Sequence, residues 1–313
     1  MIKNSIYLFT VLCTLLLINS CGHLKEAKIS YQNQNYDKTI TYCKQALKID
    51  STDTAALLLM GKCYEQKGLF DQALHLTRQA YQLSPDSKKI ANQLLKIHTS
   101  IADRNLNSNR QTALYHYQKA IEIQPENKKI QKKLADIYYA LGQLNKAKTY
   151  YLKSKDKNNK TAVSDIIAKI DQRMEKSQAL YKKGLIRYQQ SNLDKALYYF
   201  NQALEQYPHS EDATYYHHLT RGRMLYEKGS ISDLWDAIEL FGKASALKAN
   251  QGEPWYWMGL SYNKKDKDEF SNALDCLNKA LKLEPNADFS PECQRKLEDI
   301  KKKEKKMEKF WGG

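Results

Sequence analysis

At 313 residues the chain has room for two globular domains. It is built mostly from helix formers, with 12 Gly, 6 Pro and no run that alternates apolar and polar residues over strand length, which excludes a sheet protein. Its formal charge of +15 at pH 7 would suggest nucleic acid in a cytosolic protein, but the first residues point to another compartment.

Met1 to Ser5 form a short positive n-region, Ile6 to Ile18 a 13-residue apolar h-region, and the small residue Ser20 precedes Cys21. Thirteen apolar residues fall short of the roughly 20 a helix needs to cross a bilayer, so residues 1–20 read as a secretory signal peptide. Ile18-Asn19-Ser20-Cys21 resembles the bacterial lipobox, although Ile18 and Asn19 are not the family's commonest residues there. The resemblance implies cleavage before Cys21 and acylation of that cysteine with diacylglycerol plus an N-acyl chain such as palmitate. Several acyl chains, at about 0.8 kcal/mol per buried CH₂, anchor a chain stably where one would not. Gly22, in place of the aspartate of the inner-membrane retention signal, implies the outer membrane, periplasmic side, and export keeps the chain from nucleic acid. An ordinary signal peptide with Cys21 as bystander is the alternative.

Further on, small residues recur at fixed offsets. In the stretch Ala56–Asp86, Ala73, Ala80 and Pro85 lie 12, 19 and 24 residues after Gly61; Ala196, Ala203 and Pro208 stand in the same relation to Gly184. Two short amphipathic helices packed antiparallel at close approach satisfy that spacing. These residues resemble the tetratricopeptide repeat, a helix-turn-helix of about 34 residues. The resemblance implies an all-α solenoid of about seven such repeats with a C-terminal capping helix, each repeat burying its apolar face on its neighbours. Repeats one to four occupy residues 24–161 and repeats five to seven residues 177–287. Repeat one carries Thr39 where the pattern prefers alanine. Six extra residues around Arg104–Asn109 in repeat three, three near Ser230–Ser232 in repeat six and two in Lys264–Glu269 in repeat seven are expected to enlarge turns inside repeats, where insertions cost little packing.

Between the two sets, residues 162–176 are out of phase. Val163, Ile166, Ile167, Ile170 and Met174 form one apolar stripe, and no Gly or Pro occurs from Thr161 to Lys183, so this connecting helix is expected to run on into repeat five, as a plain spacer or as a hinge. After Pro285, residues 288–313 form the cap and a basic tail. Ser290-Pro291-Glu292 reads as N-cap, N1 and first-turn acid; Cys293, Leu297 and Ile300 face the last repeat. The tail, Lys301 to Trp311, is either a solvated face or a contact for anionic lipid or an acidic partner.

Cys43, Cys63, Cys276 and Cys293 remain once Cys13 and Cys21 are set aside. Pairs Cys43/Cys63 and Cys276/Cys293 sit on neighbouring helices, and buried free thiols and disulfides both stay open. No C-x-x-C or H-E-x-x-H occurs, and adjacent His217 and His218 point to different helix faces. With no nucleophile, base or phosphate loop either, the chain reads as a non-enzyme without metal, cofactor or small-molecule substrate.

In the family the first helix of each repeat lines a concave groove. Carried over, that face presents Lys62, Asn92, Lys96, Lys129, Lys132, Lys133 and Asp136 in repeats two to four, and Tyr181, Leu185, Tyr188, Tyr216, Leu219, Arg223, Tyr226, Tyr256 and Leu260 in repeats five to seven. Tyrosine and arginine commonly anchor interfaces. A solvated lysine face and tyrosines that pack repeats together are the competing readings. The expectation is a membrane-anchored scaffold that binds partner proteins in the groove and assists assembly of an envelope complex. The alternatives are a cell-wall adaptor recruiting peptidoglycan enzymes and, weakest, nucleic-acid binding by a cytosolic form.

Overall fold

The computed structural model describes residues 22–265 and 270–311. The signal-like segment, Cys21 and residues 266–269 of the insertion in repeat seven lie outside them. Among the described residues there is no strand, and fifteen helices follow one another in chain order. They are α1 (22–32), α2 (Tyr36–Ile49), α3 (Thr54–Gln66), α4 (Phe70–Leu83), α5 (Lys88–Asn105), α6 (Arg110–Ile123), α7 (Lys128–Ala140), α8 (Leu144–Ser154), α9 (Lys160–Gln189), α10 (Leu193–Gln206), α11 (Glu211–Lys228), α12 (Ile231–Leu247), α13 (Glu253–Lys265), α14 (Phe270–Leu283) and α15 (Ser290–Trp311). From α1 to α14, odd numbers are the first helices of repeats and even numbers the second.

Local chemistry sets these boundaries. Asn35 accepts from the Lys38 amide at 3.1 Å, Asn109 from Thr112 at 3.1 Å and Asn192 from Lys195 at 3.3 Å, so three second helices begin on an asparagine cap. In five repeats the turn before the second helix holds a left-handed residue, Gly68, Gly142 and Gly229 and, in repeats one and five, Gln34 (φ 59°) and Ser191 (φ 56°). Small residues then bring the helices of a pair together. A Cβ on Gly222 would stand 2.5 Å from the Phe241 ring, so α11 and α12 approach as closely as they do only because that position has no side chain. Thr39 is fully buried where alanine was expected, and its hydroxyl is satisfied by donating to the Asn35 carbonyl at 2.8 Å.

The described residues divide into two compact units, one of residues 22–140 with 146–163, the other of 141–145 with 164–265 and 270–311. In the first, Ile40, Cys43, Leu57, Met60, Cys63 and Leu76 belong to one buried cluster. In the second, Phe200, Tyr215, Leu219, Phe241 and Met258 form another, and Leu277, Cys293, Leu297 and Ile300 a third under α15. The out-of-phase segment and the first helix of repeat five are one unbroken helix, α9, with Val163 and Ile170 fully buried.

Three expectations are corrected. The extra residues of repeat three do not enlarge a turn: α5 is 18 residues against 13 in α3 and α7, because Ile101 and Ala102 are buried and nothing breaks the helix before Asn105. The extra residues of repeat six likewise lie largely in helix, since α11 runs 18 residues to Gly229 and α12 already begins at Ile231, capped by Ser230. The hydroxyl of Ser290 does not cap α15; it donates to the Glu284 carbonyl at 2.7 Å, closing the preceding turn. The four cysteines are buried free thiols.

Candidate functional site

Two clefts open on the first helices of the first unit. One, about 300 Å³, is lined by Leu58, Leu59 and Lys62 of α3, Ser87, Lys89 and Ile90 at the start of α5, and Lys28 of α1. The other, about 310 Å³, is lined by Leu95, Lys96, Thr99 and Asp103 of α5, Tyr117 of α6, and Asn127, Lys129, Ile130 and Lys133 at the start of α7. The same local sequence builds one wall of each. Pro85-Asp86-Ser87-Lys88-Lys89-Ile90 and Pro125-Glu126-Asn127-Lys128-Lys129-Ile130 share proline, acid, small polar residue, two lysines and isoleucine. The proline ends one repeat, the isoleucine is buried (Ile90 3%, Ile130 5% exposed), and the second lysine is left at the rim.

The sequence-predicted lysines divide by pairing. Lys96 lies in the second cleft but bridges to Glu65 at 3.0 Å, a buried carboxylate that also accepts from Gln93 at 2.6 Å. Lys132 reaches Asp136 at 3.7 Å, and Asp136 accepts from the Tyr151 hydroxyl at 2.6 Å. Lys133 bridges to Asp103 at 3.5 Å, and Asn92 is exposed outside both clefts. Lys62 and Lys129, one per cleft, form no ion pair with any described residue. Burial, and then the charges of Lys89 and Lys96, hold the Lys62 ammonium below the usual lysine range, opposed by the Glu65 carboxylate, so the first cleft carries more positive than negative charge. Such a cavity favours an anionic visitor. Sequence reasoning missed Lys28 and Lys89; the repeated Lys-Lys-Ile after each repeat-ending proline was the available signal for Lys89.

The aromatic face of the second unit is different. Tyr188 and Tyr256 are 5% and 7% exposed, and Leu219 and Leu260 are buried too, which corrects the reading of these four as groove lining. Arg223 lies between the rings of Tyr188 and Trp257, 4.7 Å from each centroid, and its Nη2 donates to Ser191 Oγ at 3.5 Å. The Tyr188 hydroxyl donates to Glu253 Oε1, and Trp257 Nε1 donates to the same oxygen at 3.4 Å. Burial raises the Glu253 carboxyl above the usual range, opposed by the Tyr188 hydrogen bond and the Arg223 charge. Tyr181 and Tyr216 are half-buried and pack on each other at 5.9 Å, Tyr216 also stacking on Phe200 at 5.8 Å. Leu185 is half-buried as well. Tyr226 carries the Lys264 ammonium over its ring at 4.5 Å. Most of this set therefore holds α9, α11 and α13 together through Glu253, a residue the sequence reading did not single out. Glu253 has no motif of its own; only its place at the start of a first helix, facing Arg223, marks it.

Among the described residues no group of three or more His, Cys, Asp or Glu is placed to hold a metal ion, and no helix is long and apolar enough to cross a membrane.

Family models described as tetratricopeptide repeat match residues 30–92 and 107–170, 177–210, and 253–287. No curated protein matches the chain. Among solved structures the chain is similar to a tetratricopeptide repeat protein from Parabacteroides merdae, at 14% identity over 90% of this chain and 98% of that one, with a TM-score of 0.37. It is similar to the TPR2AB domain of yeast Sti1 in its complex with pHSP90 (14% identity, 90% and 96% covered, TM-score 0.34) and to pilF of Pseudomonas aeruginosa (17% identity, 79% and 98% covered, TM-score 0.29). Helix pairs repeating on one pattern and family matches across more than half of the sequence lead to one assignment: the chain belongs to the tetratricopeptide-repeat family.

Proposed function

We propose that this protein is a membrane-anchored interaction scaffold whose first unit binds an acidic segment of a partner protein in the two lysine-lined clefts. Its role on this reading is to assist assembly of an envelope complex. The observation that carries the reading is the pair of equivalent clefts, each with a lysine, Lys62 or Lys129, that forms no ion pair with any described residue. Apolar floors at Leu58, Leu59 and Ile90, and at Leu95 and Ile130, give a partner's side chains area to bury beside the charges. The second unit, in which Tyr188 and Arg223 engage Trp257 and Glu253, is assigned to support. Anchoring through Cys21 at the periplasmic face of the outer membrane rests on the lipobox resemblance alone.

Photo-crosslinking groups placed at Lys62 and Lys129 in cells test the reading. The expected result is one protein captured from both positions, crosslinked through an acidic segment, and lost on reversing Lys89 to Glu. Capture of wall glycan, or of nothing from either position, overturns it. Intact-mass measurement of membrane-extracted protein tests the anchor separately: a chain beginning at Met1 without lipid removes it.

A further inference from the structure

We infer that the distal half of α15 is a docking surface for an anionic phospholipid bilayer, a function separate from the clefts. In the proximal half the helix is an ordinary cap. Cys293, Leu297 and Ile300 are 0%, 8% and 1% exposed against the last repeat, and the outer charges are matched, Glu292 pairing with Arg295 at 2.5 Å and with Lys296 at 3.9 Å. Beyond Ile300 that balance ends. Half-buried Glu304 and Met307 continue the packed stripe, and Met307 still rests on the apolar cluster of the last repeat. Lys301, Lys302, Lys303, Lys305, Lys306 and Lys309 are all exposed, and none forms an ion pair with a described residue.

Helical spacing turns those lysines into a surface. Lys302, Lys305, Lys306 and Lys309 lie at i, i+3, i+4 and i+7, on the side of the helix opposite Ile300, Glu304 and Met307, and span about 10 Å along the axis. The packed stripe fixes which way this face points, so its amines are held outward together. Phe310, 79% exposed, follows one turn after Lys306. A soluble polyanion gains only from the amines. A bilayer surface takes both parts, the ammonium groups among lipid phosphates and the ring at the boundary with the acyl chains. The exposed aromatic beside an unpaired basic face therefore favours lipid.

Co-sedimentation of the full-length protein with phosphatidylcholine vesicles, with and without phosphatidylglycerol, tests this. Anything at the N-terminus that partitions into lipid adds equally to every variant, so the quantity read is the ratio of binding to the two vesicle types. Replacing Lys302, Lys305, Lys306 and Lys309 together by Gln is expected to reduce the anionic preference on the order of a thousandfold, while four Arg replacements keep it. All four side chains face away from the packed stripe, and the Arg variant controls for any loss of folding. Phe310→Ala is expected to weaken binding to the anionic vesicles about tenfold and to leave binding of soluble polyphosphate unchanged. Equal partition of the wild-type protein to both vesicles overturns the inference, as does a preference that survives in the Gln variant. A Phe310→Ala variant as tight as wild type, with polyphosphate competing fully, assigns the face to soluble polyanions instead.

Discussion

Lys89 and Lys129 occupy the same position in two successive first helices, each the second residue of its helix and each directly before a buried isoleucine. Neither α5 nor α7 has an acid in its first turn, whereas α11 opens with Glu211 and Asp212 and α13 with Glu253. A cation at a helix N-terminus opposes the helix dipole, at about 0.3–1 kcal/mol per charge. Placed beside an apolar cleft, that arrangement gives up a little stability and leaves the amines at the cleft rim.

Reversing either charge should therefore separate stability from binding. Lys89→Glu and Lys129→Glu are each expected to raise the stability of the first unit by a few tenths of a kcal/mol to about 1 kcal/mol. Each is expected to weaken binding of an oligoglutamate peptide by about fivefold or more at low salt, an effect that shrinks as ionic strength rises. Hydrogen exchange on α5 and α7 and peptide titration at two salt concentrations measure both. Loss of stability with unchanged peptide binding would show the lysines to be structural.

Arg223 is expected to stabilise the second unit through two rings and one buried acid. Arg223→Ala removes stacking on Tyr188 and Trp257 and takes a cation from the neighbourhood of buried Glu253, which is expected to cost about 2–4 kcal/mol, most of it from the two ring contacts. Lysine should not restore it, because an ammonium cannot stack as a planar guanidinium does. Tyr188→Phe should cost less, about 1–3 kcal/mol, since Glu253 keeps the Trp257 donor. Urea denaturation followed by hydrogen exchange on α9, α11 and α13 reads each change. Arg223→Lys matching wild type would refute the stacking account.

The difference between these two faces marks how far the sequence was legible. Repeat phase was open to inspection because close approach of helices requires small residues, and a missing side chain at Gly61, Gly184 or Gly222 is visible in the letters. Repeat-ending prolines were legible for the same local reason. Burial of a first-helix tyrosine was not, because it depends on what faces it: Tyr188 is covered through Glu253, far along the chain. The lengths of α5 and α11 were misjudged because a six- or three-residue insertion without Gly or Pro costs less as extra helical turn, buried by Ile101 and its neighbours, than as loop.

Repeat three should be acid-sensitive. His98, 3% exposed on α5, and His116 on α6 stand Nδ1 to Nδ1 at 2.9 Å, so one ring donates to the other and the pair has no room for a second shared proton. Burial first, then the charges of His116, Arg78 and Lys119, lower His98 to about 4. Burial and Arg78 lower His116, opposed by Asp71, and the Tyr115 ring packs edge-on against it. Both groups titrate below their ordinary value near 6.5, so the unfolded chain binds more protons in that range. The pair's contribution is complete above about pH 6.5 and is lost as pH falls from there toward about 4, a change of about 1–3 kcal/mol. His98→Leu should flatten that part of the stability profile. An unchanged acid limb in the variant would exclude the pair as its source.

The thiols should be inert in the folded protein. Burial pushes Cys43 up to about 12 and Cys63, Cys276 and Cys293 up to about 11, and the Cys293 thiol donates to the Leu277 carbonyl at 3.5 Å. At neutral pH a thiol of that kind is thiolate only about one part in ten thousand, and the reagent must also reach a closed core. Cys276 and Cys293, on consecutive helices, belong to different apolar clusters, Cys276 with Phe241 and Met258, Cys293 with Leu297 and Ile300, so neighbouring helices alone do not pair them. Peptide mapping after maleimide treatment is expected to find these four cysteines unlabelled in buffer and fully labelled in urea without reductant. Labelling in urea that appears only after reduction would mean that they are joined as disulfides, and labelling in buffer at the rate of a free thiol would mean that the core around them opens.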